Sequence, residues 1–362
     1  MIIDLYLNFT IKLKFSLTSE CKSKQIQMKK TFLLLSAILL TISSFSQTTE
    51  EEFKPGGNVQ FKVFWNYHYD FSQNATKKSA FEINRSYFGY AYDFSKNISA
   101  KIIFDAGSDA GFSEYSILLK TAQLDWKVAE GVKLSMGLIG MKQFNDQEDF
   151  WNYRYVFKSF QDEHSYGPSA DLGVNAEFTI TKTLKANFVL SNGEGYKKLQ
   201  DEDGNQKIGG SLIFEPIKGL TTKIYMDSQA VTDSKAISSL ALFAGYKTTD
   251  WRLGAEYNKL NNGKKYSSAA VDHELDGLSF YATYVLNKKF EIYGRYDQLS
   301  SNTLTGGLNN WNIANDGNQV IAGIQYAPVK GLKFSLNYQD FSFDNTVLDN
   351  KSLVFLNAEF KL

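Results

Sequence analysis

The chain has 362 residues, of which 43% are apolar and 15% are aromatic, and its formal net charge at pH 7 is zero. This length allows one large domain or two ordinary ones. The balanced charge gives no reason to expect a nucleic-acid partner, and the single cysteine, Cys21, has no second cysteine with which to form an internal disulfide.

The N-terminal segment has the pattern of a secretory signal peptide. The basic stretch MKK (28–30) precedes the apolar run FLLLSAILL, and small residues follow before Gln47. An apolar run of this length is too short for a transmembrane helix, so we expect export and cleavage. The expected segments are a misassigned upstream start (1–27), a signal peptide (28–46) and a polar leader (47–58).

From residue 59 onward the chain reads as β-hairpins, because apolar and polar side chains alternate with period two. Connections rich in Gly, Pro, Asn, Asp and Ser predict tight turns. They lie at Ser95–Asn97, Ala129–Gly131, Thr181–Thr183, Pro216–Gly219, Lys247–Asp250, Asn287–Lys289 and Pro328–Gly331. The other connections are longer and polar, for example Ser191–Gln206, Lys259–Asp276 and Leu299–Asn318. With an opening strand at Val59–Asp70 and a closing strand at 353–362, these hairpins predict sixteen strands.

The two faces of the predicted strands differ sharply. In YATYVLNKKFEIYGRYD (281–297), Phe290, Ile292 and Tyr296 share one face, while Glu291 and Arg295 share the other. Short turns at one end, long loops at the other and aromatic residues near strand ends are typical of outer-membrane barrels. We predict an all-β fold, a transmembrane antiparallel β-barrel of about sixteen strands over residues 59–362 in the cell outer membrane. A soluble β-sandwich or a two-domain β protein is the alternative.

The polar face of such a barrel would line an aqueous channel, because a sixteen-stranded barrel is too wide for side chains to fill. Charges of both signs occur there in similar numbers, so we expect weak ion selectivity. The predicted pore-lining residues are Arg85, Lys101, Lys127, Lys133, Lys185, Arg252, Arg295, Asp105, Asp125, Glu177 and Glu256.

The connection after the fifth strand, MKQFNDQEDFWNYRYVFKSFQDEHSYGPSA, is the longest and the most aromatic. Asp146 resembles a helix N-cap, and the aromatic residues Phe150 to Phe160 follow a helical spacing. We predict a short helix folded toward the lumen, with its aromatic face on the wall and with Arg154 and Lys158 in a constricted channel. A loop that caps the barrel from outside, or that touches a neighbouring subunit, is the alternative.

Three stretches resemble a known family: NRSYFGYAYDF (84–94), KTAQLDWKV (120–128) and WNYRYVFKSFQDEHSYGPSADLGV (151–174). They are similar to the Bacteroidota outer-membrane porins related to the phosphate-selective porin O and P group. The resemblance implies a sixteen-stranded diffusion channel, often a homotrimer, with Arg85 among the basic residues of the channel path. Unlike many outer-membrane barrels, the chain ends in Leu362, with Phe360 two residues earlier. It also lacks a dense ladder of basic residues, so phosphate selectivity is not carried over.

No pattern in the sequence points to catalysis, a cofactor or a metal site. His68, His164 and His273 lack metal-ligand spacing, and DEDGN (201–205) is followed by Leu212 where a calcium loop requires glutamate. We predict a non-enzymatic porin for passive diffusion of small hydrophilic solutes or ions. The expected partners are outer-membrane lipids, lipopolysaccharide and the barrel assembly machinery, which would bind the closing strand. A structural or adhesive barrel with a closed lumen, and a barrel enzyme acting on lipids, are the alternatives.

Overall fold

Sixteen antiparallel strands form a closed barrel in which each strand pairs with its sequence neighbours and β1 pairs with β16. The computed structural model describes residues 53–108, 115–200, 202–266 and 268–362. The strands are β1 (Gly56–Asp70), β2 (Ser79–Asp93), β3 (Ile98–Ser108), β4 (Tyr115–Ala129), β5 (Val132–Gly140), β6 (Ala170–Thr179), β7 (Leu184–Ser191), β8 (Lys207–Phe214), β9 (Leu220–Gln229), β10 (Ile237–Lys247), β11 (Trp251–Lys265), β12 (Ser268–Val285), β13 (Phe290–Ser301), β14 (Gly317–Val329), β15 (Leu332–Phe343) and β16 (Lys351–Lys361).

The predicted upstream start, the signal peptide and the first six residues of the polar leader lie outside the described residues. β1 begins at Gly56, within the segment expected to be leader. Two short helices, α1 (Asn145–Trp151) and α2 (Phe160–Glu163), lie between β5 and β6. None of the described helices has the length and apolar character needed to cross a bilayer.

The predicted strand count is confirmed, and each predicted tight turn falls at a junction between two consecutive strands. One predicted loop is wrong. The segment Lys259–Asp276 is largely strand, since β11 continues to Lys265 and β12 starts at Ser268. The alternation of apolar and polar side chains ends in this segment, but the backbones of β11 and β12 remain paired through it. Polar cross-strand pairs support it, with Lys259 Nζ 2.7 Å from a Glu274 carboxylate oxygen.

The outer face of the barrel is apolar and its inner face is polar, as the sequence predicts. On β13, Ile292 and Tyr296 are exposed, whereas Tyr293, Arg295 and Asp297, which point to the other face, are buried. The same alternation recurs around the wall. Because a closed barrel leaves no strand edge unpaired, this arrangement satisfies the backbone within a hydrocarbon layer.

Two β-bulges change which side chains face inward near the start of the barrel. The pairing of β1 with β2 shifts so that Phe64 faces Arg85 and Trp65 faces Ile83. The pairing of β3 with β4 shifts after Ile103, which leaves Lys120 as the extra residue. A bulge re-aims a side chain that strict alternation would place on the other face.

Candidate channel and its third loop

The third loop, residues 141–169 between β5 and β6, is not the continuous helix that its aromatic spacing predicts. α1 ends at Trp151, because Asn152 adopts a left-handed conformation with φ of 59°. The backbone N–H of Asn152 still donates to the carbonyl oxygen of Glu148 and closes the last turn. The predicted helical stripe from Phe150 to Phe160 is therefore wrong.

The predicted N-cap is also wrong. The residue before α1 is Phe144, and no side chain caps the helix. Asp146 instead accepts a hydrogen bond of 2.6 Å from Lys223 Nζ of β9, which also donates to the carbonyl oxygen of Lys142. Asp146 therefore forms an ion pair with the barrel wall and does not cap the helix. A hydrogen bond from a charged donor such as Lys223 is stronger than one from a neutral backbone N–H.

Aromatic side chains of the third loop pack against aromatic residues of the inner face. The ring of Trp151 lies edge-on to Tyr281 and Tyr293, with centroids 5.8 and 5.6 Å away. Tyr153 stacks on Tyr293 at 4.0 Å. Trp151 and Tyr153 are 1% and 0% exposed. The loop thus buries apolar surface against β12 and β13 rather than presenting it to water.

Hydrogen bonds tie the same segment to more distant strands. The Tyr153 hydroxyl donates to Glu291 at 2.6 Å, and the Tyr155 hydroxyl donates to Gln325 at 3.0 Å. The side-chain amide of Asn357 on β16 donates to the carbonyl oxygen of Tyr155. These contacts extend the attachment of the third loop from β12 to the closing strand.

Arg295 on β13 is the most heavily used anchor. Its guanidinium makes two hydrogen bonds to Asp297, of 2.8 and 2.6 Å, and a third of 2.6 Å to the carbonyl oxygen of Lys158. It also lies over the rings of Trp151 and Phe157, 5.0 and 5.5 Å from their centroids. One buried cation therefore holds both a wall carboxylate and the loop, through charge-assisted and cation–π contacts.

Arg154 and Lys158, the predicted constriction cations, both pair with acids of their own loop. Arg154 bonds Asp162 at 2.8 Å and lies 3.5 Å from Glu148, and Lys158 lies 3.2 Å from Glu163. Neither is therefore an isolated positive charge. Whether they set selectivity stays a prediction, but their charge is compensated locally.

Burial and ion pairing act differently on the two acids beside Arg154. Burial raises the pKa of Glu148, and the nearby cation only partly offsets it. Burial also acts to raise the pKa of Asp162, but Arg154 and other cations outweigh it and the pKa is lowered. The ion pair with Arg154 therefore favours the charged form of Asp162.

Reversing the charge at Arg154 should loosen the third loop. An Arg154→Glu variant puts a third carboxylate beside Glu148 and Asp162, at a cost on the order of 2 kcal/mol. We expect larger and noisier single-channel currents in planar bilayers. The Arg154→Asp, Asp162→Arg double variant restores an ion pair and should return the currents to the wild-type range; failure of that rescue would argue against the pairing.

The predicted pore-lining residues fall into two groups. Arg252, Glu256 and Arg295 are at most 5% exposed, and the third loop packs over this part of the wall. Residues of the opposite wall remain partly or fully exposed, apart from Asp105, which is 2% exposed, and most of them are ion-paired. They are Arg85 (with Asp105, 3.0 Å), Lys133 (with Glu177, 2.6 Å), Lys185 (with Glu215, 2.7 Å), Lys101, Lys127 and Asp125.

A cavity of about 650 Å³, here named the lysine cavity, remains between the third loop and the strands β1 to β4. Arg154 and Asp162 line it from the loop, and Lys62, Lys101 and Lys120 line it from the wall. These three lysines make no ion pair within 4.0 Å among the described residues. Lys120 instead donates to the Ser169 hydroxyl.

Sequence reasoning missed two of these lysines. Lys62 lies on the same face of β1 as Phe64 and Asn66, so the alternation of the strand could have predicted its inward position. Lys120 was not, because alternation with the inward Thr121 places it outside. Only the bulge opposite Ile103 turns it into the cavity.

A second cavity, of about 620 Å³ and here named the aromatic cavity, lies at the long-loop end of β11 to β16. The third loop contributes Phe157, Glu163 and His164 to its lining. The wall contributes Leu299, Gln319, Gln339, Phe341, Phe343 and Leu353, and the β13–β14 connection contributes Trp311. No group of three or more potential metal ligands occurs within the described ranges.

A closed sixteen-stranded antiparallel barrel with an apolar exterior, a polar interior and a long third loop against the wall defines a transmembrane β-barrel of the porin type. Solved structures with this fold include OmpF of Salmonella typhi in complex with daunomycin, with a TM-score of 0.65 and 14% identity over 84% of this chain and 97% of that one. The anion-selective porin from Comamonas acidovorans has a TM-score of 0.62 and 12% identity, over 85% and 100%. Pseudomonas putida OprB has a TM-score of 0.65 and 10% identity, over 85% and 94%.

No protein-family model and no curated sequence matches the chain. At these identities the structural similarity establishes the fold, which is that of the outer-membrane porins. A shared fold does not establish a shared function, so a channel depends on what this chain's own residues form inside the barrel.

Proposed function

We propose that this protein is an outer-membrane porin through which small hydrophilic solutes and ions diffuse passively. The observation that carries the proposal is the pair of cavities inside a barrel whose outer face is apolar and whose inner face is polar. The lysine cavity reaches Lys330 and Lys361 at the short-turn end, and the aromatic cavity reaches Lys264 and Phe343 at the long-loop end. The third loop lines both, so it would form the narrowest part of the path between them.

The mechanism would be size exclusion with an electrostatic bias. Wall carboxylates neutralise most inner-face cations at ion-pair distance, so the field along the path depends on the few charges left over. Lys62, Lys101 and Lys120, which form no ion pair with any described residue, supply an excess of positive charge at one end. The proposal includes no catalytic step and no cofactor.

The surroundings we propose follow from the outer face. Its exposed apolar side chains, Phe280 and Leu336 among them, would contact membrane lipids and lipopolysaccharide. The barrel assembly machinery would recognise the closing strand β16. A homotrimer is supported by the fold similarity to OmpT of Vibrio cholerae in its trimer form, at a TM-score of 0.58 and 12% identity over 86% of this chain and 100% of that one. A place in the phosphate-selective porin O and P group remains a proposal.

The alternative function is a structural or adhesive barrel whose lumen is closed. The observation that favours it is the dense packing of the third loop, in which Tyr153 and Phe160 are 0% exposed. In that case the loops at the long-loop end would bind a partner, and no ion would cross.

Reconstitution separates the two functions. The purified chain in planar bilayers should give discrete conductance steps, and liposomes that contain it should swell in small sugars but not in large ones. Steps that do not exceed those of empty bilayers, with no swelling in any sugar, would reject the porin and favour the closed barrel.

The lysine cavity should make the channel mildly anion-preferring. Replacing Lys62, Lys101 and Lys120 by glutamine should change the anion-to-cation permeability ratio by roughly twofold toward cations at about 0.1 M salt. Reversal potentials in a salt gradient measure this. The matched control removes the same charge from exposed turn lysines, as Lys182→Gln, Lys218→Gln and Lys288→Gln. Equal shifts in both triple variants would mean that the cavity does not control selectivity.

A further inference from the structure

We propose that the aromatic cavity is a binding site for a neutral carbohydrate of about the size of a mono- or disaccharide. The proposal rests on the porin function above, and it adds a solute class and a place in the barrel where that solute is held before it passes the third loop.

The lining of this cavity departs from the rest of the inner face. Elsewhere the inward positions carry ion pairs such as Arg295 with Asp297, or aromatic residues that the third loop covers, such as Tyr293. At the long-loop end the inward positions carry Phe341 and Leu353, which are only partly buried, and Leu299, which is buried. Large apolar side chains facing an aqueous cavity leave apolar surface in contact with water, which is unfavourable unless a solute covers it.

Aromatic rings of the lining supply flat faces. Phe341 and Phe343 lie 4.5 Å apart at 58°, so they present two differently inclined surfaces. Trp311 lines the same cavity and is held in place, because its indole N–H donates to the carbonyl oxygen of Glu274 at 2.9 Å and its ring packs on His273. Pyranose rings have an apolar face of C–H groups, and such faces pack on aromatic rings held in a fixed orientation.

Amide groups supply the hydrogen bonds. Gln319 is 7% exposed and lines the cavity, yet its side chain makes no hydrogen bond with the described part of the chain. A carboxamide offers both donors and an acceptor, which matches a sugar hydroxyl. The Gln319 amide faces the cavity without a hydrogen-bond partner in the described part of the chain, so a ligand hydroxyl can bond it in place of water. Gln339, which donates to Asn337, and Asn312, which donates to Asp316, are by contrast already engaged.

The acidic side chains of the lining already accept hydrogen bonds or pair with a lysine, and its three lysines are exposed, so an ionic solute would gain little there. Glu163 is paired with Lys158, and Asp340 accepts hydrogen bonds from Tyr338 and Ser352. Lys351 lies over the ring of Phe343, 5.5 Å from its centroid. Lys264 and Lys265 are exposed at the rim. The volume of about 620 Å³ is within the range of small-molecule sites, roughly 300–1,000 Å³.

Saturation-transfer NMR on the purified, detergent-solubilised barrel tests the site without requiring an open channel. Three probes are compared: maltose, mannitol and sodium gluconate. Maltose has rigid rings with apolar faces, mannitol has hydroxyls without a ring, and gluconate adds a charge. We expect saturable binding of maltose and at least tenfold weaker binding of the other two.

Two substitutions locate the binding. Phe341→Ala removes a stacking surface and should weaken maltose binding at least fivefold. Gln319→Met keeps the side-chain volume, removes the amide and should weaken it about fivefold, the loss of one hydrogen bond. Phe355→Ala is the matched control, since Phe355 is an inward phenylalanine of neighbouring β16 that does not line the cavity.

The outcomes are distinguishable from those of the porin proposal. Maltose that binds no better than mannitol, or that binds equally well to the Phe341→Ala variant, overturns the carbohydrate site. Preferential binding of gluconate also overturns it, in favour of an anion site. Such results with normal conductance leave the porin intact, whereas maltose binding without conductance would reject the porin alone.

Discussion

Replacing Trp151 by alanine is expected to raise the single-channel conductance severalfold while the barrel stays folded. The indole is buried against Tyr281 and Tyr293, and its N–H donates to the carbonyl oxygen of Phe157 at 2.9 Å. Truncating a buried tryptophan costs about 3–5 kcal/mol. That cost falls on the attachment of the third loop, because strand pairing around the barrel does not involve Trp151. The displaced loop should then leave a wider path.

Conductance histograms in planar bilayers measure the effect, and the far-ultraviolet circular dichroism of the same preparation reports on the strands. Trp251→Ala is the control, because Trp251 is an exposed tryptophan on the outer face. A folded Trp151→Ala variant with wild-type conductance would mean that the third loop does not limit the current.

The second large effect is expected at Arg295. An Arg295→Met variant leaves the carboxylate of Asp297, which is 2% exposed, without its bidentate partner. Breaking a buried ion pair in this way costs about 3–5 kcal/mol. The loss of the bond to the Lys158 carbonyl and of the contact with Trp151 adds to it. The urea midpoint in detergent or lipid should fall clearly below that of the wild type.

An Arg295→Met, Asp297→Leu double variant separates charge from packing. With the orphaned carboxylate removed as well, most of the lost stability should return, since apolar replacements of buried pairs are often close to neutral. If the double variant unfolds at the same urea concentration as the single one, the ion pair is not the source of the destabilisation.

The barrel could be predicted from sequence because its rules are local. Alternation fixed which face of β13 is outside, and turn residues such as Asn287–Lys289 marked where strands end. The limits of that rule are visible in β11 and β12, where pairing outlasts the apolar alternation, and at Lys120, which a bulge turns inward. Neither depends on residue type alone.

The third loop could be located but not described, because its conformation depends on residues far away in the chain. Tyr153 meets Glu291, and Tyr155 meets Gln325, at separations of 138 and 170 residues. The aromatic residues whose spacing suggested a helix pack instead against side chains of the barrel wall, as Tyr153 does on Tyr293. The ion pair of Arg154 with Asp162 could not be predicted from the sequence either, because it forms in a loop whose helix ends at Trp151.

Spin labels along one strand test most directly whether lipid lies outside the barrel and water inside. In a Cys21→Ser background, single labels at residues 100 to 103 of β3 are compared in liposomes for collisions with oxygen and with a water-soluble nickel chelate. We expect oxygen to dominate at Ala100 and Ile102 and nickel to dominate at Lys101 and Ile103, which line the lysine cavity. A reversed pattern, or no period-two pattern, would contradict the account.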